Sequence, residues 1–388
     1  MLDAVHGYIT ICGEMKKIID SGLFQRLGFV KQLTSAQYVF CGAMHTRKSH
    51  SIGAMHIAGK YIISILNNKK TNIFLTSQEK SKMIFHVELA ALLHDIGHGM
   101  YSHSFDSTIY SQIYPGVEKG HDVHRHVLLP YFKQYLDFDE EYVKNIWNSK
   151  IPHLSALING PVSCDRGDFL KRDSYFCGIN YGVFDMDRII ANSYFGKVND
   201  EAVLVYDSKI VPSIIQGLSS RLYLYSEIYL HKNVIAAAIL IELMILEANK
   251  VFDYVERTKD IEAFIYMNDG SVFQEILGSG EPRLFLAKIY ATRLYERKLP
   301  KMISEKKVSF EKNDKHENEE LKFGITELGD GRIRWVSRIL SKDFEKEFSD
   351  SKIYIDKDDK LYSFHDYSFL MGIEISKECY YYERIYLL

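Results

Sequence analysis

The chain has 388 residues, of which 46% are hydrophobic and 26% charged, an ordinary balance for a globular protein of two or three domains with a sizeable core. A formal net charge of -3 and a pI near 6.6 supply no overall basic field, so nonspecific affinity for nucleic acid or an anionic membrane is not expected, and any bound anion must be held by local groups. Cys12, Cys41, Cys164, Cys177 and Cys379 are odd in number, widely spaced and without a Cys-x-x-Cys, which reads as free thiols in an intracellular reducing compartment, cytoplasmic or nuclear.

From the N-terminus, Met1-Leu2-Asp3 leads straight into a polar segment, so no signal peptide is expected. Apolar residues at spacings of three and four predict helices over Glu14–Val30, Ser49–Leu66 and Ser77–Leu93, the third opened by a capping box in Thr76-Ser77-Gln78-Glu79. Asp165–Phe176 and Ser213–Glu256 follow the same pattern, and between them Ala202–Val211 alternates around Asp207-Ser208 as a small hairpin would. The longest apolar run, Val234–Ile241 continuing past Glu242 to Leu246, is shorter than the roughly 18 residues of a membrane span and reads as a core helix. Pro282 opens a further helix through Lys298. The mixed-charge run 304–322 reads as a solvated loop or linker between residues 1–300 and a C-terminal region, 301–388. That tail is predicted to hold one amphipathic helix, Ile333–Phe348, and Tyr-rich strands between Lys352 and Leu388. The fold class is therefore mainly α, with a small hairpin and a minor C-terminal α+β region.

The chemistry concentrates in His94-Asp95-Ile96-Gly97-His98-Gly99-Met100-Tyr101-Ser102-His103-Ser104-Phe105-Asp106. His86, His94, His98, His103, His121, His124 and His126 share one short window, out of 15 histidines in the chain, whereas the last third has only His316 and His365. A lone histidine in a helical chain is usually a core or surface residue, but several candidates here stand at helix ends. His50 lies at the start of one helix, in His45-Thr46-Arg47-Lys48-Ser49-His50, with an arginine nearby that suits phosphate. His94 and Asp95 end a second helix, and Asp165 begins a third. Such a set of nitrogen and oxygen ligands suits a divalent ion such as Fe, Mn, Ni, Mg or Zn and leaves positions open for water and substrate.

The ordered series His50, His94-Asp95, Asp165 resembles the HD-domain phosphohydrolases. The text around it is similar to their deoxynucleoside triphosphate triphosphohydrolases of the sterile-alpha-motif-and-HD type. The likeness runs from Asp3-Ala4-Val5-His6-Gly7 through Phe24-Gln25-Arg26-Leu27, Lys31-Gln32-Leu33, Asp165-Arg166-x-Asp168-x-x-x-Arg172-Asp173 and Arg221 to Tyr229-x-His231-Lys232. It implies an HD-domain helical bundle, and because the chain starts almost at the family's first motif, no sterile-alpha-motif domain is expected.

By the same resemblance His50, His94, Asp95 and Asp165 would hold a metal ion that activates water for attack on phosphorus. His103 would protonate the leaving 5'-oxygen or relay a proton, with Asp106 fixing its tautomer, and His98 and His121 would line the phosphate channel, binding phosphate or a second metal. Arg47, Arg166 and Arg221 would clamp the triphosphate, and Gln32 and Asp173 would hold the sugar 3'-hydroxyl. Leu33 and Tyr229 would crowd C2' against a ribose hydroxyl. Some positions depart from the pattern: Phe169 replaces a tyrosine whose hydroxyl would contact sugar or phosphate, Gly167 an aromatic and Arg166 a lysine. Asp20 and Gln25 match residues that read a guanine activator, but Gly28 stands where an arginine belongs. The leading expectation is a metal-dependent enzyme that converts dNTP to deoxynucleoside and inorganic triphosphate, as a dimer or tetramer and away from membranes. Two alternatives stay open: an HD phosphohydrolase acting on another nucleotide phosphoester, and a catalytically idle nucleotide or nucleic-acid binder.

Overall fold

The computed structural model describes residues 1–310, 324–337, 340–341, 350–372 and 379–388. It is mainly a helical bundle with a small hairpin and a mixed C-terminal region. Three helices form its centre: α1 (Arg47–Asn67), α2 (Ser77–Leu93) and, after the short α3 (Gly120–Leu128), α4 (Cys164–Cys177). α2 starts where the sequence places it, because the Thr76 hydroxyl accepts from the Glu79 backbone N–H at 3.2 Å while the Glu79 carboxylate accepts from the Thr76 N–H at 2.8 Å. Its second half, with Val87 and Leu89 to Leu93 fully buried, lies in the main core beside Ile57, Tyr61 and Ile65 of α1.

Several predicted elements are broken or moved. Glu14–Val30 is not one helix: a helix at Gly13–Ile19 stops, Ser21 caps a new turn at Gly22–Gln25, and a 3-10 turn follows at Arg26–Phe29. The hairpin exists, but its strands are β1 (Ser193–Val198) and β2 (Glu201–Asp207), and the turn is Asn199-Asp200, both at positive φ (51° and 62°). Two consecutive left-handed residues are what a two-residue hairpin turn needs, and Asn and Asp tolerate them. Ser213–Glu256 divides into α5 (Val211–Leu224), a π-helical turn at Tyr225–Tyr229, α6 (Lys232–Phe252) and a short helix at Tyr254–Lys259. α7 (Asp269–Gly278) and α8 (Phe285–Tyr295) follow, the latter entered through a 3-10 turn at Pro282–Leu284.

The C-terminal region departs furthest. Residues expected to begin a solvated linker instead form a strand, β3 (Lys301–Phe310), and the rest of that charged run lies outside the described residues. The expected helix Ile333–Phe348 opens as a strand, β5 (Arg332–Val336), paired with β4 (Gly324–Gly329); most of its remainder is likewise not described. Two more strands, β6 (Ile353–Lys357) and β7 (Lys360–Ser363), leave the tail and join the hairpin in a sheet ordered β7-β6-β2-β1, with β6 parallel to β2. A larger sheet runs β3-β8-β5-β4, where β8 is Cys379–Leu387, and a two-stranded sheet pairs Leu2–Asp3 with Gly7–Tyr8. No described helix is long and apolar enough to cross a membrane, and the described cysteines Cys12, Cys41, Cys164 and Cys177 are free thiols.

Residues 94–110 are wedged between two apolar clusters. Leu92, Leu93 and Ile96 belong to the main core, while Met100, Tyr101, Phe105, Ile109 and Tyr110 pack with Leu240, Ile241 and Met244 of α6. The polar side chains of this stretch are thereby aimed between α1, α3 and α4.

Candidate metal centre and adjoining histidine cluster

α1 brings Arg47 and His50 from its first turn, the C-terminal end of α2 brings His94 and Asp95, and the first turn of α4 brings Asp165. The Nε2 atom of His50 lies 3.2 Å from that of His94, 3.1 Å from an Asp165 carboxylate oxygen and 3.6 Å from Asp95. The Nε2 of His94 lies 3.4 Å from Asp95 and 3.5 Å from Asp165. Such separations match neighbouring ligands of one ion roughly 2.0–2.2 Å from each donor.

The outer ring nitrogens settle the tautomers. His94 Nδ1 lies 2.7 Å from the Ala91 carbonyl, which can only accept, so the Nδ1 carries a proton; His50 Nδ1 lies 2.7 Å from the Asp168 carboxylate and is held the same way. Both Nε2 lone pairs then face each other, an arrangement that is repulsive unless a cation sits between them, so the donor set fits a divalent ion. Burial alone would lower the His50 pKa, but the Asp165 and Asp168 carboxylates outweigh it and raise it to about 10. The site therefore has a surplus of negative charge that a proton or metal ion neutralises. Although burial works against it, Asp95 is held well below the usual carboxylate range, first by Arg47, whose Nη1 donates to it at 2.6 Å.

A buried network supports His50 from behind. Arg172 donates to both oxygens of Asp168 at 2.8 Å and to Asp3 at 2.9 Å, and His6 Nε2 lies 2.7 Å from Asp168. The pair can lie this close to α1 only because residue 53 is glycine: a Cβ there would sit 1.9 Å from the Asp168 oxygen and 2.6 Å from the Arg172 guanidinium.

Next to these candidate metal ligands, one ligand atom from each of His98, His103, Asp106 and His121 falls within a span of 4.8 Å. Asp106 accepts from the His121 ring at 2.7 Å, from the His121 backbone N–H at 3.0 Å and from His103 Nδ1 at 3.1 Å. His98 stacks on His121 with ring centres 3.8 Å apart and reaches Asp95 at 3.4 Å, so it bridges the two groups. Burial and the adjacent Arg47 hold the His98 pKa well below its ordinary value, leaving it neutral. Asp106 and His121 are buried, while the His103 side chain is 66% exposed and is the member open to a ligand.

The connecting loop is strained and pinned. Tyr101 and Ser102 both have positive φ, at 55° and 51°. Asp269 accepts from the Tyr101 N–H at 2.6 Å, the Ser102 hydroxyl donates to the Lys31 carbonyl at 2.7 Å, and Arg26 donates to the His98 carbonyl at 2.6 Å. Tyr110 closes the loop by donating to the Gly97 carbonyl at 2.5 Å.

Of the residues expected at the sugar, Leu33, Phe169 and Tyr229 meet in one apolar cluster, and the Phe169 ring lies 6.5 Å from that of His50. Tyr229 donates to one oxygen of Asp173 at 2.5 Å and His45 Nε2 lies 2.8 Å from the other, while the buried Gln32 Oε1 has no hydrogen-bond partner among the described residues. Arg166 stands on the first turn of α4, and the Arg221 guanidinium lies 5.7 Å from the Tyr225 ring. Gln25, expected at an activator, is engaged by Lys48 at 2.6 Å.

Sequence reasoning gave no site role to Asp168, Arg172, His6, His45, Arg26, Tyr110 or Asp269. One signal was available: Asp165, Asp168 and Arg172 at spacings of three and four share a helix face, so a carboxylate held by an arginine beside a ligand could have been read. The contacts of His45, Arg26, Tyr110 and Asp269 span long sequence separations and leave no local trace.

A family model described as HD domain matches residues 47–154. The chain is 29% identical to the deoxynucleoside triphosphate triphosphohydrolase SAMHD1 homolog of Dictyostelium discoideum, over 89% of this chain and 63% of that protein. It is 28% identical to the human deoxynucleoside triphosphate triphosphohydrolase SAMHD1, over 78% and 54% respectively. It is also 31% identical to an uncharacterized protein of Methanocaldococcus jannaschii, over 69% and 52%. The chain thus spans about half to two thirds of the length of these relatives.

Proposed function

We propose that this chain, an HD-domain phosphohydrolase related to the SAMHD1-type deoxynucleoside triphosphate triphosphohydrolases, hydrolyses dNTPs at the α-phosphorus to deoxynucleoside and inorganic triphosphate. The observation that carries this reading is the abutment of two sites: the His50–His94–Asp95 donor group with Asp165 beside its two histidines, and the Leu33–Phe169–Tyr229 cluster, joined through the ring contact of Phe169 with His50. His50, His94, Asp95 and Asp165 would hold a divalent ion, which when bound would supply Lewis-acid chemistry toward water and phosphoryl oxygens.

The chain's own groups do the rest. Asp106 fixes the Nδ1 of His103 and leaves its exposed Nε2 to deliver a proton to the departing 5'-oxygen. His98 and His121, stacked behind it, line the path of the phosphates together with Arg47, Arg166 and Arg221. Asp173, oriented by His45 and Tyr229, accepts from the sugar 3'-hydroxyl, and the Gln32 side-chain amide donates to that hydroxyl's oxygen. Leu33 and the Tyr229 ring leave a ribose 2'-hydroxyl either clashing or buried without a partner, a penalty of about 1–3 kcal/mol. Assembly into a dimer or tetramer belongs to the same reading, supported by the exposed apolar side chains Phe285, Leu286 and Ile289 on α8.

Competitive hydrolysis of dATP and ATP by the wild type and Tyr229→Ala under one metal condition tests the deoxy preference. The wild type is expected to favour dATP, and the variant to narrow that preference. Equal wild-type turnover of both would move the activity to a broader nucleotide phosphohydrolase.

A further inference from the structure

A cavity of about 580 Å³ lies beyond the metal-bearing turn of α1 and includes none of the residues assigned above to metal, phosphate or sugar. One wall is α1 from Met55 to Ser64. The others come from Tyr8 and Thr10, from Glu88 of α2 and from the short helix Met186–Ala191. Its volume lies in the range of small-molecule sites.

Among the charged side chains that line this cavity, one is left without a partner among the described residues. Lys60 is paired with Asp187, and the Ser64 hydroxyl donates to the Ile190 carbonyl at 3.1 Å. Glu88 has neither a hydrogen bond nor an ion pair among the described residues. Its carboxylate lies directly against α1, where a Cβ on Gly59 would sit 2.3 Å from Oε1, so glycine is required for this placement. Burial raises the Glu88 pKa, and burial together with the neighbouring His6 and Lys60 lowers that of His56, which is then neutral at pH 7. With Lys60 and Asp187 cancelling, the cavity carries the charge of one unpaired carboxylate. Glu88 is partly buried, and a ligand that brings a cationic donor to it replaces water with a charge-assisted hydrogen bond.

We propose that this cavity binds a small organic cation, an amine or amidine on a short apolar body, with its N–H groups on the Glu88 carboxylate and its body against Met55, Ile63 and Ile190. The site also touches the support of the metal centre. The His56 ring lies 5.6 Å from that of His6, and His6 holds Asp168, which holds His50.

The test uses benzamidine and its uncharged isostere benzamide, titrated calorimetrically into the metal-loaded chain. Benzamidine is expected to bind with a Kd of about 1 mM or tighter, and benzamide about tenfold or more weaker, as loss of a charge-assisted pair requires. Glu88→Gln is expected to weaken benzamidine by a similar factor, and dATP is expected not to displace the probe. Absence of benzamidine binding up to about 10 mM, equal affinity for the two probes, unchanged binding in a folded Glu88→Gln variant, or displacement by dATP would each overturn the proposal. The comparison of the two probes on the wild type decides the matter even where the variant does not fold.

Discussion

At His50 the two ring nitrogens face different partners: Nε2 faces His94 and the proposed metal position, and Nδ1 is held by Asp168. Weakening that hold leaves the ligand present but free to turn, so Asp168→Asn is expected to lower metal affinity by roughly 10- to 100-fold in a metal titration. The same change breaks the buried pair with Arg172, which removes about 3–5 kcal/mol of stability, so the titration belongs well below the variant's melting temperature. Unchanged metal affinity would show that Asp168 is only structural. His94→Ala and Asp95→Ala, by contrast, remove donors themselves and are expected to lose both bound metal and hydrolysis. His103→Ala is expected to keep the metal and slow kcat by roughly 10²- to 10⁴-fold; loss of metal in that variant would make His103 a ligand. Asp269, which holds the strained Tyr101 turn, has its pKa raised to about 6, first by burial. Because the folded value exceeds the unfolded one near 3.9, the penalty for its charge is absent below about pH 4 and complete above about pH 6. The stability of the wild type relative to Asp269→Asn is therefore expected to fall by about 3 kcal/mol between pH 4 and pH 7 in denaturant titrations. A difference independent of pH would contradict the burial argument.

Elements were legible where the local signal and the burial agree. α2 has a capping box, an apolar stripe and a core position, and its bounds follow from the sequence alone. Thr76→Ala, which removes that cap, is expected to lower the free energy of unfolding by about 1 kcal/mol and leave metal content unchanged; a loss of metal would mean that the helix start governs the distant His94. β3 was misread for the opposite reason. It pairs with β8 alone, at one edge of its sheet, and most of its described side chains are exposed, so its charged residues resemble a solvated loop. The break in the long helix before α6 is also invisible locally. There the carbonyl of Leu230 accepts from Arg384 and that of Lys232 from Tyr386, both supplied by β8. The candidate metal ligands were legible as a motif because each stands at a helix end, whereas the groups packed around them are drawn from segments far apart in the chain.

Among the described residues, two of the ties between the C-terminal region and the rest of the chain bear on the site. β6 extends the hairpin sheet, where Lys70 donates to Asp356 at 2.7 Å, and β8 latches the turn that follows Tyr229. Arg384→Ala, which opens that latch, is expected to raise KM for dNTP more than it lowers kcat, because it loosens the placement of Tyr229 without touching His103; a pure kcat defect would exclude this route. The proposed activity rests on metal and sugar sites acting on one substrate, and the identity of the phosphorus-containing product reports that directly. ³¹P NMR of dATP incubated with the purified, metal-loaded chain is expected to show inorganic triphosphate appearing in step with deoxyadenosine, and neither in the Asp95→Ala variant. Formation of dADP with inorganic phosphate, or of dAMP with pyrophosphate, would place the cleaved bond elsewhere and contradict the proposed reaction.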